Sequence, residues 1–103
     1  MAQDYVKYKL HEAVEALAAS ASPIQRRLFN AWMVLHTSKP DDFDNSADGE
    51  RFATVMDALT AREASAEEGT AEATTSHLTN EEAEAIAKQI VELDTACRPL
   101  LSE

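Results

Sequence analysis

Glycine and proline are scarce in this chain, two and three in 103 residues, and Cys97 is the only cysteine. So few turn formers, with no run of alternating β-branched residues, argue against a hairpin-rich β fold. A lone thiol cannot form an internal disulfide, which fits a reducing compartment. No apolar run is long enough to span a bilayer, and the N-terminal Met-Ala-Gln-Asp-Tyr-Val-Lys-Tyr-Lys lacks the charged-then-apolar layout of a secretory signal. A cytoplasmic location without membrane contact is therefore expected.

Basic residues are few as well, nine Lys and Arg against nineteen Asp and Glu, for a net charge of −10. Residues 1 to 40 carry five basic and three acidic groups, whereas residues 41 to 103 carry four basic and sixteen acidic ones. Only Lys7, Lys9, Arg26 and Arg27 approach the clustering that phosphate neutralisation requires, so direct nucleic-acid binding is not expected. Surplus acid in the second part suits a basic protein surface.

What the chain does have is alanine, nineteen residues, together with abundant Glu and Leu. Leu, Ile, Val and Phe together number only twenty, so the core is thin. The composition predicts a single all-α domain over 1–103, a small antiparallel bundle of four helices at about 4–19, 23–37, 47–62 and 80–97.

In the first helix Val6, Leu10, Ala13, Val14 and Leu17 form one stripe behind Asp4 as N-cap, leaving Tyr5 and Tyr8 off the stripe. Ser22, Pro23 and Gln25 spell a capping box with proline at the first helical position. The helix that follows carries the only tryptophan. Ile24, Leu28, Ala31, Trp32 and Leu35 share its stripe, while Phe29, Met33 and Val34 spill onto its flanks, so it needs neighbours on more than one side. The Ser20-Ala21-Ser22 link makes the first two helices an antiparallel hairpin. His36, in the last turn, complements the helix dipole.

Residues 38–47 read as a loop with Phe43 plugging the bundle. A third helix starts near Ser46 to Gly49, with Ser46 or Asp48 as cap and Phe52, Val55, Met56 and Leu59 inward. Residues 63–76 hold no large apolar side chain, and as a helix would set Glu63 against Glu67 and Glu68 against Glu72, so a mobile linker is expected over 63–78. Thr79 and Glu82 form a second capping box with Leu78 as staple, opening a helix with Ala83, Ile86, Ile90, Leu93 and Cys97 inward and Glu81, Glu84, Lys88 and Glu92 outward. Pro99 stops it, and Leu100 and Leu101 follow.

Motifs for chemistry are weak. Asp44, Ser46, Asp48 and Gly49 match the first half of a calcium loop, but position twelve is Val55 rather than Glu, and Arg51 occupies the apolar position. His11 and Glu15 share a helix face, and two ligands do not make a metal site. Cys97 lies on an apolar stripe, as a small core residue would. No catalytic residue, metal or cofactor is expected, and the chain reads as a non-enzyme.

These observations point to a small protein-interaction module of the inhibitor, antitoxin-like or nucleic-acid-mimic type, binding a basic partner. Tyr5, Tyr8, Phe29, Trp32, Met33, Glu81, Glu84 and Glu92 are the candidate contact residues. A structural homodimer burying the second helix is the alternative, and an enzyme with a site assembled from scattered residues is the third reading.

Overall fold

A computed structural model describes residues 2–61 and 69–97. Among these, the chain forms five α-helices and no strand: α1 (Ala2–Ala18), α2 (Ile24–Leu35), α3 (Ser46–Leu59), α4 (Thr70–Ser76) and α5 (Asn80–Cys97). A short 3-10 turn, Pro40–Asp42, joins α2 to α3. The all-α bundle is as expected, and the principal differences lie at helix starts and in the region assigned to a linker.

The core lies where the helical stripes meet. Val6, Leu10, Ala13 and Leu17 of α1, Leu28, Ala31 and Leu35 of α2, Phe52, Val55 and Leu59 of α3, and Ala83, Ile86, Ile90, Leu93 and Cys97 of α5 form one buried cluster. Val14, Ile24, Trp32 and Met56, also expected inward, pack against it only partly buried. Phe43 plugs the bundle and meets the Phe52 ring at 5.2 Å between centroids. α1 and α2 run antiparallel, since Tyr5 bonds Thr37 at one end of the pair and Arg27 bonds the Leu17 carbonyl at the other.

Three helix starts depart from expectation. α1 begins at Ala2, so Asp4 is already inside the helix instead of capping it. α2 has Pro23 as its N-cap with no side-chain hydrogen bond, and the box at Ser22 does not close. Gln25 instead donates to the Leu78 carbonyl and to Asn80 Oδ1, each at 2.9 Å, so a tertiary partner has outcompeted the local one. α3 is capped by Asn45, whose side chain accepts from Ala47 N and Asp48 N, and not by Ser46 or Asp48. At Thr79 the box does close: Glu82 N donates to Thr79 Oγ1 at 3.1 Å, and Thr79 N donates to Glu82 Oε1 at 2.9 Å.

The expected linker is corrected in its second half. Residues 70–76 form α4, with Ala71, Ala73, Thr74 and Thr75 buried. Small side chains let α4 pack closely on α2 without the large apolar residues that a core stripe normally shows. The Thr75 hydroxyl donates back to the Ala71 carbonyl at 2.9 Å, which removes the cost of burying it. Glu72 is paired with Arg26 of α2 at 4.0 Å. The stretch 62–68, where the rest of that linker was expected, lies outside the described residues, as do Pro99, Leu100 and Leu101.

Gly49 serves packing. A Cβ there would meet the Pro40 carbonyl oxygen at 2.7 Å, so the 3-10 turn lies directly on the first turn of α3. The glycine of the calcium-like pattern is thus explained by the approach of two backbones.

Candidate interaction surface

α1 offers no basic residue in its last turn to satisfy its final carbonyls, and the short hairpin brings a donor from the next helix. Arg27 Nη1 donates to the Leu17 carbonyl at 2.7 Å, and its Nε donates to the Ser22 carbonyl at 2.8 Å. One half-buried guanidinium therefore ties the end of α1, the link and the start of α2 together. In the sequence Arg27 stands out only among the nearly clustered basic residues and not as a clamp, although a helix ending without a capping glycine or a terminal cation is the signal for that role.

On the hairpin so fixed, three large side chains with apolar bodies are exposed among polar neighbours such as His11, Glu15 and Arg26. Tyr8 is 61% exposed, Met33 52% and Tyr5 43%. The Tyr5 hydroxyl lies 2.8 Å from Thr37 Oγ1, and Lys9 Nζ sits 5.4 Å from the Tyr5 ring centroid. Because Tyr5 pairs with Thr37 and Leu17 with Arg27, the antiparallel alignment sets Tyr8 and Lys9 level with Met33.

Along the adjoining flank of α2, four planar groups follow at helical spacing. The Arg26 guanidinium lies 5.2 Å from the Phe29 ring centroid, the Phe29 and Trp32 rings are 6.0 Å apart, and the Trp32 and His36 rings are 5.0 Å apart. The His36 ring also places Nδ1 2.7 Å from the Met33 carbonyl at the C-terminal end of the helix. Phe29 and Trp32 are half-buried, so the column is held firmly while part of it stays accessible. Beside it, Pro23, Gln25, Arg26 and Phe29 face Glu72, Thr75 and Ser76 across a cleft of about 300 Å³.

No family model, curated protein or solved structure matches this chain.

The acidic candidates stand apart from the aromatic ones. Glu81, Glu84 and Glu92 are exposed on α5, opposite the stripe that enters the core. Since the inner stripes of α2 and α5 share that core, the outer faces of the two helices are directed away from each other. The eight candidates thus form two surfaces, an aromatic one on α1 and α2 and an acidic one on α5.

The weak chemical motifs resolve into structural roles. The Cys97 thiol is buried and donates to Asp48 Oδ2 at 3.8 Å. Burial, then the negative charge and hydrogen bond of Asp48, push its pKa up to about 11, with Lys7 opposing and Asp94 adding to the rise. It is a protonated core residue near neutral pH, with no thiolate character. Asn45 and Asp48 of the calcium-like stretch serve helix capping and the Cys97 contact, and Asp48 also lies 3.9 Å from Arg51. His11 and Glu15 form an exposed pair at 3.5 Å. Among the described residues, no group of three or more His, Cys, Asp or Glu is placed to hold a metal ion, and no helix is long and apolar enough to cross a membrane.

Proposed function

We propose that this chain is a small acidic protein-interaction module, a binding protein rather than a catalyst, that meets its partner through the outer side of the α1–α2 hairpin. The observation that carries this reading is the exposure of Tyr8, Met33 and Tyr5 on one helical hairpin, whose second helix also carries the half-buried Phe29 and Trp32 on its other flank. Exposed Leu or Tyr residues scattered singly mean little, but large side chains gathered on one helical hairpin mark a contact site. Aromatic residues and Met are also the side chains that carry binding energy at interface centres. The exposed carboxylates of α5 give the module its preference for a basic partner surface and speed encounter by long-range attraction.

Affinity capture from the source cells with the full chain tests this. A partner retained at low salt should be released as salt rises, be weakened by Met33→Asp, and be lost with the double variant Glu84→Lys and Glu92→Lys. Identical capture by all three chains would reject the reading.

A homodimer through α2 is the second reading, and one observation favours it. Met33 is exposed in the last turn of α2, and that helix carries no acidic residue on the face it would turn to a symmetry mate. Multi-angle light scattering should then give twice the 11.3 kDa chain mass at high concentration and a monomer for Met33→Asp.

A further inference from the structure

α4 differs from the four longer helices in how it is held. It has seven residues, well under the length at which a helix is stable alone. Its N-cap is Gly69, with no side-chain hydrogen bond to its first N–H groups. The side chains it buries are those of Ala71, Ala73, Thr74 and Thr75, which remove little apolar area from water compared with the Ile and Leu residues of α5. The ion pair between Glu72 and Arg26 at 4.0 Å is roughly half exposed on both sides and therefore weak.

The next element does not depend on α4. α5 starts with its own closed capping box at Thr79 and Glu82, and Leu78 packs against the core. Gln25 fastens the chain at the Leu78 carbonyl and at Asn80, so the far end of α4 has a fixed hinge. What α4 covers is the flank of α2 that carries Phe29, across the cleft bounded by Pro23, Gln25, Arg26, Glu72, Thr75 and Ser76.

We propose that α4 is a strap that opens about the Leu78 hinge while the rest of the bundle stays folded, uncovering the Phe29 flank of α2. The free energy of a local opening follows from what holds the segment, and among the described residues the apolar burial of α4 is small, its first turn has no side-chain cap and its ion pair with Arg26 is exposed. Closed, the strap leaves an apolar cleft; open, it extends the aromatic surface of the hairpin by the side of Phe29. The use of that extension in partner binding rests on the function proposed above, whereas the opening itself does not.

Hydrogen exchange read by mass spectrometry on the full chain tests the strap, alongside emission of the dye anilinonaphthalene sulfonate as a probe of uncovered apolar surface. In the unmodified protein, amides of 73–78 should exchange far faster than those of 28–35 and 86–97. Glu72→Lys turns the pairing with Arg26 into repulsion and places a cation near the helix start, and it should quicken exchange over 73–78 about fivefold. Gly69→Asp adds a capping oxygen where a Cβ meets nothing within 4 Å, and it should slow the same amides about twofold. Dye emission should rise with the first variant and fall with the second, and exchange over 28–35 and 86–97 should stay unchanged in both. Exchange of 73–78 at the rate of the core helices, or variants that shift every helix together, would show α4 to be part of the global unit and overturn the proposal. Faster exchange without a change in dye emission would overturn it too, because the strap would then uncover nothing. Loss of the Met33→Asp effect on capture would instead remove the interaction reading and leave the exchange pattern untouched.

Discussion

α2 and α5 send equivalent faces into the core and opposite faces outward. Leu28, Ala31 and Leu35 on one, and Ile86, Ile90 and Leu93 on the other, belong to the same buried cluster. Outside, α2 shows Met33 with parts of Phe29 and Trp32, while α5 shows Glu81, Glu84, Lys88 and Glu92, with Val91 its one large exposed apolar side chain among the described residues. The inner faces therefore explain why the chain folds, and only the outer faces distinguish what each helix can do. A long helix with charges opposite its stripe is complete once docked. α2, with no acidic residue and large apolar groups outside, is not.

The largest effects should confirm the equivalence of the inner faces. Leu28→Ala and Ile90→Ala each delete a fully buried side chain and should each cost about 2 to 5 kcal/mol in urea unfolding. A cost confined to one of them would mean that the two helices do not share a single cooperative core.

Next in size comes a pH effect at the end of α5, where Cys97 meets Asp48 of α3. The Cys97 thiol titrates at about 11 in the native chain, against 9.0 ordinarily, so between those values the native state keeps a proton that the unfolded state sheds. Stability from this group is unaffected below about pH 8 and falls as pH rises through 9 toward 11. Urea midpoints measured from pH 8 to 10.5 should decline more steeply for the native protein than for Cys97→Ala, and parallel slopes would contradict the burial of the thiol beside Asp48.

Arg27 is the counterpart on α2. Replacing it with Met keeps the stem and removes two hydrogen bonds to carbonyls, which should cost about 1 to 3 kcal/mol. Arg26→Met, on the exposed side of the same helix, should cost under about 0.5 kcal/mol, and a reversed order would place the hairpin clamp at the wrong residue.

Smaller again is a contrast between two starts that look alike in sequence. Ser22 with Gln25 and Thr79 with Glu82 have the same spacing, yet only the second closes. Thr79→Ala should lower stability by about 1 kcal/mol, and Ser22→Ala by under about 0.5 kcal/mol. The reason is visible in the fold: Gln25 has the Leu78 carbonyl and Asn80 within reach, and a capping motif encodes only the local half of that competition. The same limit runs through the rest of the chain. Stripes such as Val6, Leu10, Ala13 and Leu17 were legible because period alone determines them, whereas an off-stripe position left Tyr8 and Met33 undecided between cover for the bundle and a contact surface. α4 was not legible, because Ala71, Ala73, Thr74 and Thr75 become a buried face only when α2 is beside them. Arg27 was missed for a related reason: its acceptors lie ten and five residues away, and only the closed hairpin brings them together.

A small effect on stability should also come from the residue that matters most for the proposed function. Met33 is 52% exposed, so Met33→Asp removes little buried area and leaves no buried polar group unpaired. Its unfolding free energy should fall by no more than about 1 kcal/mol, the cost of a carboxylate in the last turn of α2, with the helical circular dichroism unchanged. At an interface the same substitution buries a carboxylate against apolar groups, where desolvation costs several kcal/mol. A variant that unfolds normally but no longer captures the partner, or no longer dimerises, would separate the outer face of α2 from its inner one. A variant that loses as much stability as Leu28→Ala would show that Met33 belongs to the core.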